Sequence, residues 1–240
     1  MSRRIAHFSC GAASAVATKL STPDEIWYAA TGSEDADNAR FMRDCEKWFG
    51  QPIRVIRSEK YSDTWAVWED RKYLAGIRGA PCTGELKVGP RLAAQLPDDI
   101  HVFGYTADAN DARRAQSMRE HWPDLHVEFP LIERGLTKAA CLAMIGTAGI
   151  TPPRVYSLGY PNANCIPCVK ATSPGYWAVV RKHHHAEFAR MAALESRIGA
   201  KLVQFRGQRI QLSELPADIP LRDAIAPACD FLCQLAEQEL

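Results

Sequence analysis

The chain has 240 residues, of which 29 are basic and 28 acidic, giving a formal net charge of +1. The length suits one α/β domain with a sizeable core, with or without an appendage, and the small net charge excludes a global field that would hold a polyanion. The sequence has no long apolar run and begins without a signal-peptide pattern, so we expect a soluble, cytoplasmic protein with no membrane partner.

The first part of the chain alternates short apolar runs with amphipathic segments. The predicted strands are 5–9, 25–30, 53–56, 101–105 and 127–131. The predicted helices are 15–20, 38–49, 65–74, 85–95, 112–121 and a helix from an N-cap at Thr137 to about Thr147. Alternation of this kind builds a parallel sheet with helices on both faces, so the sequence predicts a Rossmann-like α/β fold.

The composition changes after Gly149, where two consecutive prolines, Pro152 and Pro153, end the last of these helices. We therefore expect a nucleotide-binding α/β domain at 1–150 and a mainly helical, cysteine-containing extension at 151–240. In the extension, the pattern predicts a helix over 174–198 with an N-cap at Ser173. An extended stretch over 201–212 and an irregular tail ending in a helix follow.

A tight turn of small residues joins the first predicted strand to the first helix. It consists of Ser9, Cys10, Gly11, Ala12, Ala13 and Ser14. A turn of this kind directs backbone N–H groups and the positive end of the helix at one place, where phosphates bind. Gly11 permits close approach of a ligand, and the hydroxyls of Ser9 and Ser14 are possible donors to phosphate oxygens. A plain βα turn without a ligand is the alternative, and the position at a strand carboxyl end favours the ligand.

This turn resembles the S-G-G-x-D-S signature of the PP-loop superfamily, which includes the adenine nucleotide alpha hydrolases and the phosphoadenosine phosphosulfate (PAPS) reductases. The resemblance implies an adenine nucleotide, such as ATP, adenosine phosphosulfate or PAPS, with its phosphates at the loop. Cys10 stands where the signature has a glycine, and Ala13 stands where members that cleave ATP have an acidic residue. The second departure bears on ATP cleavage more than on nucleotide binding, and it favours the reductases.

Two further segments extend the resemblance. The sequence P-C-T-G-E-L-K at 81–87 is similar to the family's C-T-x-x-L-K segment, and 104–114 is similar to its G-x-x-x-D-E-x-x-R segment. The resemblance implies that Asp108 and Arg114 lie at the nucleotide and that Lys87 and Arg113 act on its phosphate or sulfate. A solvated helix face is the alternative for the arginines, because adjacent helical residues do not easily face one ligand.

Cys165 and Cys168 form a C-x-x-C pair ahead of a predicted helix. The spacing lets two thiolates bind one metal or cluster, and it also fits half of a zinc site, a dithiol redox pair or a surface loop. Sulfonucleotide reductases and the related DNA phosphorothioation enzymes carry cluster ligands before the L-K segment and in a later C-x-x-C. The resemblance therefore implies Cys82 as a third ligand of a 4Fe-4S iron-sulfur cluster, with structural zinc as the alternative. The fourth ligand is Cys229, Cys233 or a group that is not protein.

The reductases of this family also use a C-terminal cysteine as the nucleophile that attacks sulfur. Cys233 is the candidate here, with a packing role as the alternative, and the family's E-C-G-x-H motif is absent. Two reactions stay open: reduction of a sulfonucleotide and nucleotide-dependent sulfur transfer, in which a nucleic acid or a sulfur-donor protein would be the partner. A non-catalytic nucleotide- or nucleic-acid-binding module with cysteine-bound zinc is the alternative from another class.

The remaining conspicuous residues favour packing or solvent exposure. Cys45 and Cys141 lie among apolar residues of predicted helices and are expected to be buried. Trp65, Trp68 and Tyr73 have helical spacing and are predicted to lie in the core. His183, His184 and His185 point in three directions from one helix, so we expect solvated surface, although the basic and aromatic stretch 176–190 is a possible contact for a nucleic acid backbone.

Overall fold

The computed structural model describes residues 2–76, 79–222 and 224–226. It divides into two compact units. The first comprises Met1–Ala30, Ala36–Ile56 and Arg91–Pro153, and the second comprises Thr31–Asp35, Arg57–Pro90 and Arg154–Leu240. Pro153 ends the first unit close to the expected boundary at residue 150, while two earlier segments join the second unit. The division into independent domains at 1–150 and 151–240 stays a prediction.

The first unit is built on a five-stranded sheet. Its strands are β1 (Arg4–His7), β2 (Glu25–Ala29), β3 (Arg54–Ile56), β4 (Ile100–Val102) and β5 (Val127–Glu128). They lie in the order β3-β2-β1-β4-β5, and every neighbouring pair is parallel. The predicted parallel α/β sheet is therefore confirmed. The order reverses between β1 and β4, and in open sheets ligands bind at the carboxyl ends of strands where this happens.

The helices of the two units follow in chain order. They are α1 (Ala12–Ser21), α2 (Asn38–Phe49), α3 (Thr64–Arg71), α4 (Pro81–Thr83), α5 (Gly89–Ala94), α6 (Ala109–His121), α7 (Pro130–Glu133), α8 (Lys138–Thr147), α9 (Arg154–Ser157), α10 (Pro174–His183) and α11 (His185–Ile198). A π-helical turn covers Gly84–Val88, and a 3-10 turn covers Leu212–Glu214. Helix α1 packs against β1, α2, α7 and α8. None of the helices in the described ranges is long and apolar enough to cross a membrane.

Three predicted elements differ from the structure. The fifth strand ends at Glu128, because Pro130 begins a helix and its ring fixes a helical φ. The helix expected over 85–95 instead begins at Pro81 and passes through the π-helical turn. The helix expected over 174–198 is broken at His184, whose φ of −137° and ψ of 60° are not helical.

A pair of histidines lies inside the first unit. His7 on β1 and His101 on β4 are both buried, and His7 Nε2 lies 2.8 Å from His101 Nδ1. The ring of His7 also stacks on Phe103, with centroids 4.7 Å apart. Burial, and then the nearby charge of Arg91, lowers the pKa of His101 to about 4, and burial lowers the pKa of His7 as well. Both rings are therefore neutral near pH 7.

The second unit has an aromatic core of its own. Trp65 and Trp68 on α3 are buried there with Trp177 on α10, which confirms the prediction for both α3 residues. Tyr73 is 39% exposed, so its predicted core position is wrong; α3 ends at Arg71, two residues before it. An antiparallel hairpin of β6 (Val203–Phe205) and β7 (Gln208–Ile210) packs against α10.

Candidate functional site at the β1 to α1 turn

The turn that the sequence singled out leaves the carboxyl end of β1 and opens directly into α1. Cys10 has a φ of 56°, the left-handed conformation that glycine adopts without strain. The S-G-G-x-D-S signature that this turn resembles has a glycine at this position, and the left-handed conformation explains why glycine is preferred there. The thiol of Cys10 is buried, 3.9 Å from the carbonyl oxygen of Asn38. Gly11 is extended, with φ −103° and ψ 157°, and Ala12 begins the helix.

The two serines of the turn bond to each other. The backbone N–H of Ser9 donates to Ser14 Oγ at 3.1 Å, and the Ser9 hydroxyl donates to the same oxygen at 3.1 Å. Ser14 Oγ in turn donates to the carbonyl oxygen of Gly11 at 3.0 Å. Ser14 is buried and closes the turn, while Ser9 is exposed at its rim together with the half-buried Ala13.

Gly104, just past the end of β4, forms the opposite wall of this turn. A Cβ added at Gly104 would lie 2.5 Å from the Cα of Ser14, 2.6 Å from its backbone nitrogen and 2.9 Å from the carbonyl carbon of Ala13. Only glycine therefore allows this approach. The carboxyl ends of β1 and β4 meet at the turn, which is the point where the strand order reverses.

The segment after Gly104 is fixed by two carboxylates. The backbone N–H of Thr106 donates to Asp111 Oδ2 at 3.1 Å, and the Thr106 hydroxyl lies 2.9 Å from the same oxygen and 3.0 Å from Asp108 Oδ2. Asp108 Oδ2 also accepts the backbone N–H of Lys138, at the start of α8, at 3.1 Å. Asp108 thus joins the starts of α6 and α8 in the structure.

The two predicted arginines have different surroundings. Arg114 is half-buried; its guanidinium lies 4.5 Å from the ring centroid of Tyr105 and donates to Asp111 Oδ1 at 2.7 Å. Arg113 is exposed and donates to Asn110 Oδ1 at 2.5 Å. Arg114 is therefore the arginine held at the carboxyl end of β4, and Arg113 lies on the solvated face of α6.

Lys87 and Cys82 belong to the second unit. Lys87 lies in the π-helical turn and is half-buried. Cys82 lies in α4, also half-buried, and packs against the aromatic core that contains Trp65 and Trp68.

Cys165 and Cys168 lie in the second unit on a buried loop before α10. Cys165 Sγ is 2.9 Å from the hydroxyl of Thr31, and the backbone N–H of Cys168 donates to the hydroxyl of Tyr176 at 2.6 Å. Burial of Tyr176, and then the neighbouring Cys168 and Cys165, raises the pKa of its phenol well above the usual value. The loop is therefore tied to the segment after β2 and to α10.

The described residues do not bring together the side chains that a metal ion or cluster needs. Within 2–76, 79–222 and 224–226, no group of three or more His, Cys, Asp or Glu side chains is arranged to hold a metal ion. Cys229 and Cys233 lie outside the described residues. The described thiols of Cys82, Cys165 and Cys168 thus do not by themselves fit a cluster, and we derive no reaction step through one.

A buried polar network in the second unit was missed by the sequence analysis. Arg154 Nη2 donates to both carboxylate oxygens of Asp35, at 3.0 and 2.8 Å, and the Asp35 side chain is 2% exposed. His184 Nε2 lies 3.7 Å from Asp35, while His184 Nδ1 bonds to the Tyr160 hydroxyl at 2.7 Å. The expectation of solvated surface at His184 is therefore wrong, because the helix break directs its ring inward.

Two arginines of the stretch 176–190 also have structural partners. Arg181 donates to the carbonyl oxygens of Leu215, Pro216 and Ala217. Arg190 pairs with Glu69 and lies 4.2 Å from the ring centroid of Trp65. These two arginines therefore contribute to the packing of their own unit, and the predicted nucleic-acid contact of this stretch stays a prediction.

Cys45 and Cys141 are both buried, as the sequence predicted. Burial, and then the charge of Asp44, raises the pKa of the Cys45 thiol to about 12; burial, and then Asp108, raises that of Cys141 to about 11. Neither thiol is reactive near pH 7, because the thiolate is the nucleophilic form.

Comparison with known proteins gives one informative result. No family model matches the sequence, and no curated protein matches it. Among solved structures, the chain is similar to the crystal structure of phosphoadenylyl-sulfate (PAPS) reductase from Candida auris in a phosphate complex, with a TM-score of 0.51 and 12% identity. The similarity covers 69% of this chain and 82% of that chain. The fold resembles that of a PAPS reductase. The predicted resemblance is thereby confirmed at the level of the fold.

Proposed function

We propose that this chain is an enzyme that binds an adenine nucleotide, with its phosphates at residues 9–14, and carries out sulfur chemistry on it. The substrate class is a sulfonucleotide such as adenosine phosphosulfate or PAPS, or ATP used to activate a sulfur acceptor.

One observation carries the proposal. The turn lies at the carboxyl end of β1, opens into the N-terminus of a ten-residue helix and stands where the strand order reverses. Backbone amides and the helix dipole favour an anion there, and open α/β sheets bind ligands at such a point. The similarity in fold to a PAPS reductase solved as a phosphate complex supports a phosphate-containing ligand.

The surrounding residues suit phosphate binding. Gly104 keeps the opposite wall free of a side chain at Ser14 and Ala13. Ser9 is exposed at the rim, where its hydroxyl can rotate away from Ser14 Oγ and donate to a phosphate oxygen instead. Arg114, held on Tyr105 by Asp111, provides a positioned guanidinium at the end of β4. We assign nucleotide binding to these groups.

The sulfur step rests on the cysteines and stays a proposal. In sulfonucleotide reduction, a cysteine thiolate attacks the sulfur, the bond from sulfur to the phosphate oxygen breaks, and the adenosine phosphate leaves. Cys233, which lies outside the described residues, is our candidate for that thiolate. The iron-sulfur cluster at Cys82, Cys165, Cys168 and a further ligand also remains a prediction.

Nucleotide binding by the full chain tests the first part of the proposal. Calorimetric titration of the full chain with ATP, AMP, adenosine phosphosulfate and PAPS should show binding of at least one of them, with inorganic phosphate competing. No binding of any adenine nucleotide would contradict the proposal.

Anaerobic purification followed by iron, acid-labile sulfide and zinc analysis tests the cysteine assignment separately. Iron together with acid-labile sulfide in the purified protein would support the iron-sulfur cluster. Zinc without iron would support the alternative of a non-catalytic binding module with a structural zinc. Release of sulfite from a sulfonucleotide, as against transfer of labelled sulfur to a nucleic acid, distinguishes the two reactions.

A further inference from the structure

The β6–β7 hairpin in the second unit is a short, regular ribbon. Its paired residues are Val203 with Ile210, Gln204 with Arg209, and Phe205 with Gln208. The two residues of its turn, Arg206 and Gly207, have φ values of 48° and 80°. Two left-handed residues in succession are typical of a tight two-residue hairpin turn. The turn therefore projects the side chain of Arg206 at the tip of the ribbon.

A buried carboxylate holds both ends of the hairpin. Glu195 on α11 is fully buried; one of its oxygens accepts the backbone N–H of Leu202 and the other that of Leu212, each at 2.6 Å. The backbone N–H of Gln204 donates to the carbonyl oxygen of Thr172 at 2.8 Å. The ribbon is thus fixed to its unit at its base and along one strand.

The ribbon exposes cations and amides but no carboxylate. Val203 is buried, whereas Lys201, Gln204, Arg206 and Arg209 are exposed. No acidic residue occurs between positions 196 and 213. Over the part of the chain that the structure describes, none of the three cations forms an ion pair; Arg209 donates to the carbonyl oxygen of Leu202 at 2.8 Å.

We propose that this ribbon, defined by Lys201, Gln204, Arg206 and Arg209, is a docking surface for the phosphate backbone of a nucleic acid. Exposed cations gain affinity mainly by releasing counterions from a dense polyanion, and they hold an isolated small anion poorly. Two-stranded ribbons fit nucleic acid grooves, and exposed glutamine amides can bond to bases or sugars beside the backbone contacts. Because Glu195 fixes the ribbon to its unit, the ribbon loses little conformational entropy when a nucleic acid binds.

This inference goes beyond the proposed function and does not require it. It supplies a nucleic-acid contact separate from the stretch 176–190, in which Arg181 and Arg190 bond within their own unit. If both proposals hold, the chain binds a nucleotide in one unit and a nucleic acid through the other.

The test compares two triple variants of the full chain that lose the same charge. The hairpin variant carries Lys201→Gln, Arg206→Gln and Arg209→Gln. The control carries Arg43→Gln, Arg57→Gln and Arg134→Gln, which replace three exposed arginines outside the hairpin. Arg134 matches Arg209 in that it also donates to a backbone carbonyl oxygen, which is that of Pro130. Binding of fluorescein-labelled oligothymidylate, duplex DNA and duplex RNA is measured by anisotropy between about 50 and 200 mM salt, where backbone contacts change affinity steeply.

We expect the wild type and the control to bind at least one probe with similar affinity. The hairpin variant should lose roughly tenfold or more in affinity. Its plot of log affinity against log salt should be shallower by roughly two on the single strand and roughly three on the duplexes, because each of the three lost phosphate contacts contributes about 0.7 and about 0.9, respectively. A single charge reversal, Arg206→Glu, should weaken binding without lowering the melting temperature, because among the described residues its side chain contacts only the Phe205 ring. Failure of the wild type to bind any probe, or equal losses in both triple variants, would overturn the proposal.

Discussion

Replacement of Gly104 by alanine tests whether the carboxyl ends of β1 and β4 together shape the nucleotide site. The added Cβ would lie 2.5 Å from the Cα of Ser14, whereas ordinary contacts begin at 3.4 Å. The atoms that this Cβ would meet belong to the backbone, so a change of side-chain rotamer cannot relieve the clash. The turn must therefore move away from β4 by about 0.9 Å, and overpacking of this kind costs about 1 to 3 kcal/mol.

The displacement falls on the groups that we assign to phosphate binding. The hydrogen bonds of Ser14 Oγ to Ser9 and Gly11 are 3.0 to 3.1 Å long, so a movement of this size breaks or bends them. Loss of about 1.4 to 2.7 kcal/mol of binding energy corresponds to a ten- to hundredfold weaker nucleotide affinity. We expect that range for Gly104→Ala.

The assay is calorimetric titration with the tightest-binding adenine nucleotide, together with thermal unfolding. Gly146→Ala is the matched control, because Gly146 is exposed within α8 and an added Cβ meets nothing within 4 Å. That variant should keep its affinity and gain up to about 1 kcal/mol of stability. Wild-type affinity in folded Gly104→Ala would refute the reasoning that the nucleotide contacts this turn.

Three further predictions follow from single contacts. Cys10→Val should lose nucleotide affinity and about 1 to 2 kcal/mol of stability, because a β-branched residue is strained at a φ of 56°, while Cys10→Gly should still bind in the same titration. The free energy of unfolding in urea should fall by roughly 3 kcal/mol from His101 alone as the pH drops from about 6.5 to 4, because His101 takes up its proton in the unfolded chain first. The lowered pKa of buried His7 acts in the same direction, and a flat profile across that window would contradict the neutral burial of both rings. Asp35→Asn should lower the melting temperature more than Glu69→Gln does, since Asp35 is buried and Glu69 is a half-exposed surface partner; equal shifts would argue against the Arg154 network.

The parts of the fold that depend on local sequence were predictable. The five strands, their parallel arrangement and the small-residue turn follow from apolar runs and turn residues in short windows. The predicted caps are confirmed too: Thr137 accepts from the backbone of Ala140, and Ser173 from that of Tyr176. The individual strands, the turn and the caps each involve residues within a few positions of one another, whereas the parallel arrangement follows from the alternation of strands with helices.

The parts that depend on distant contacts were not predictable from one sequence. The approach of Gly104 to Ser14 joins residues ninety positions apart, and the pairing of Arg154 with Asp35 spans 119. No periodicity signals such contacts, because they arise from the packing of elements and not from their formation. The inward turn of His184 similarly requires a partner carboxylate from another segment.

The most direct test of the central claim is a structure of the full chain with a bound adenine nucleotide. We predict that its phosphate oxygens lie within hydrogen-bonding distance of the backbone N–H groups at the start of α1, beside Ser9 and Gly104. A nucleotide seated elsewhere, with the β1 to α1 turn free of phosphate, would contradict the account.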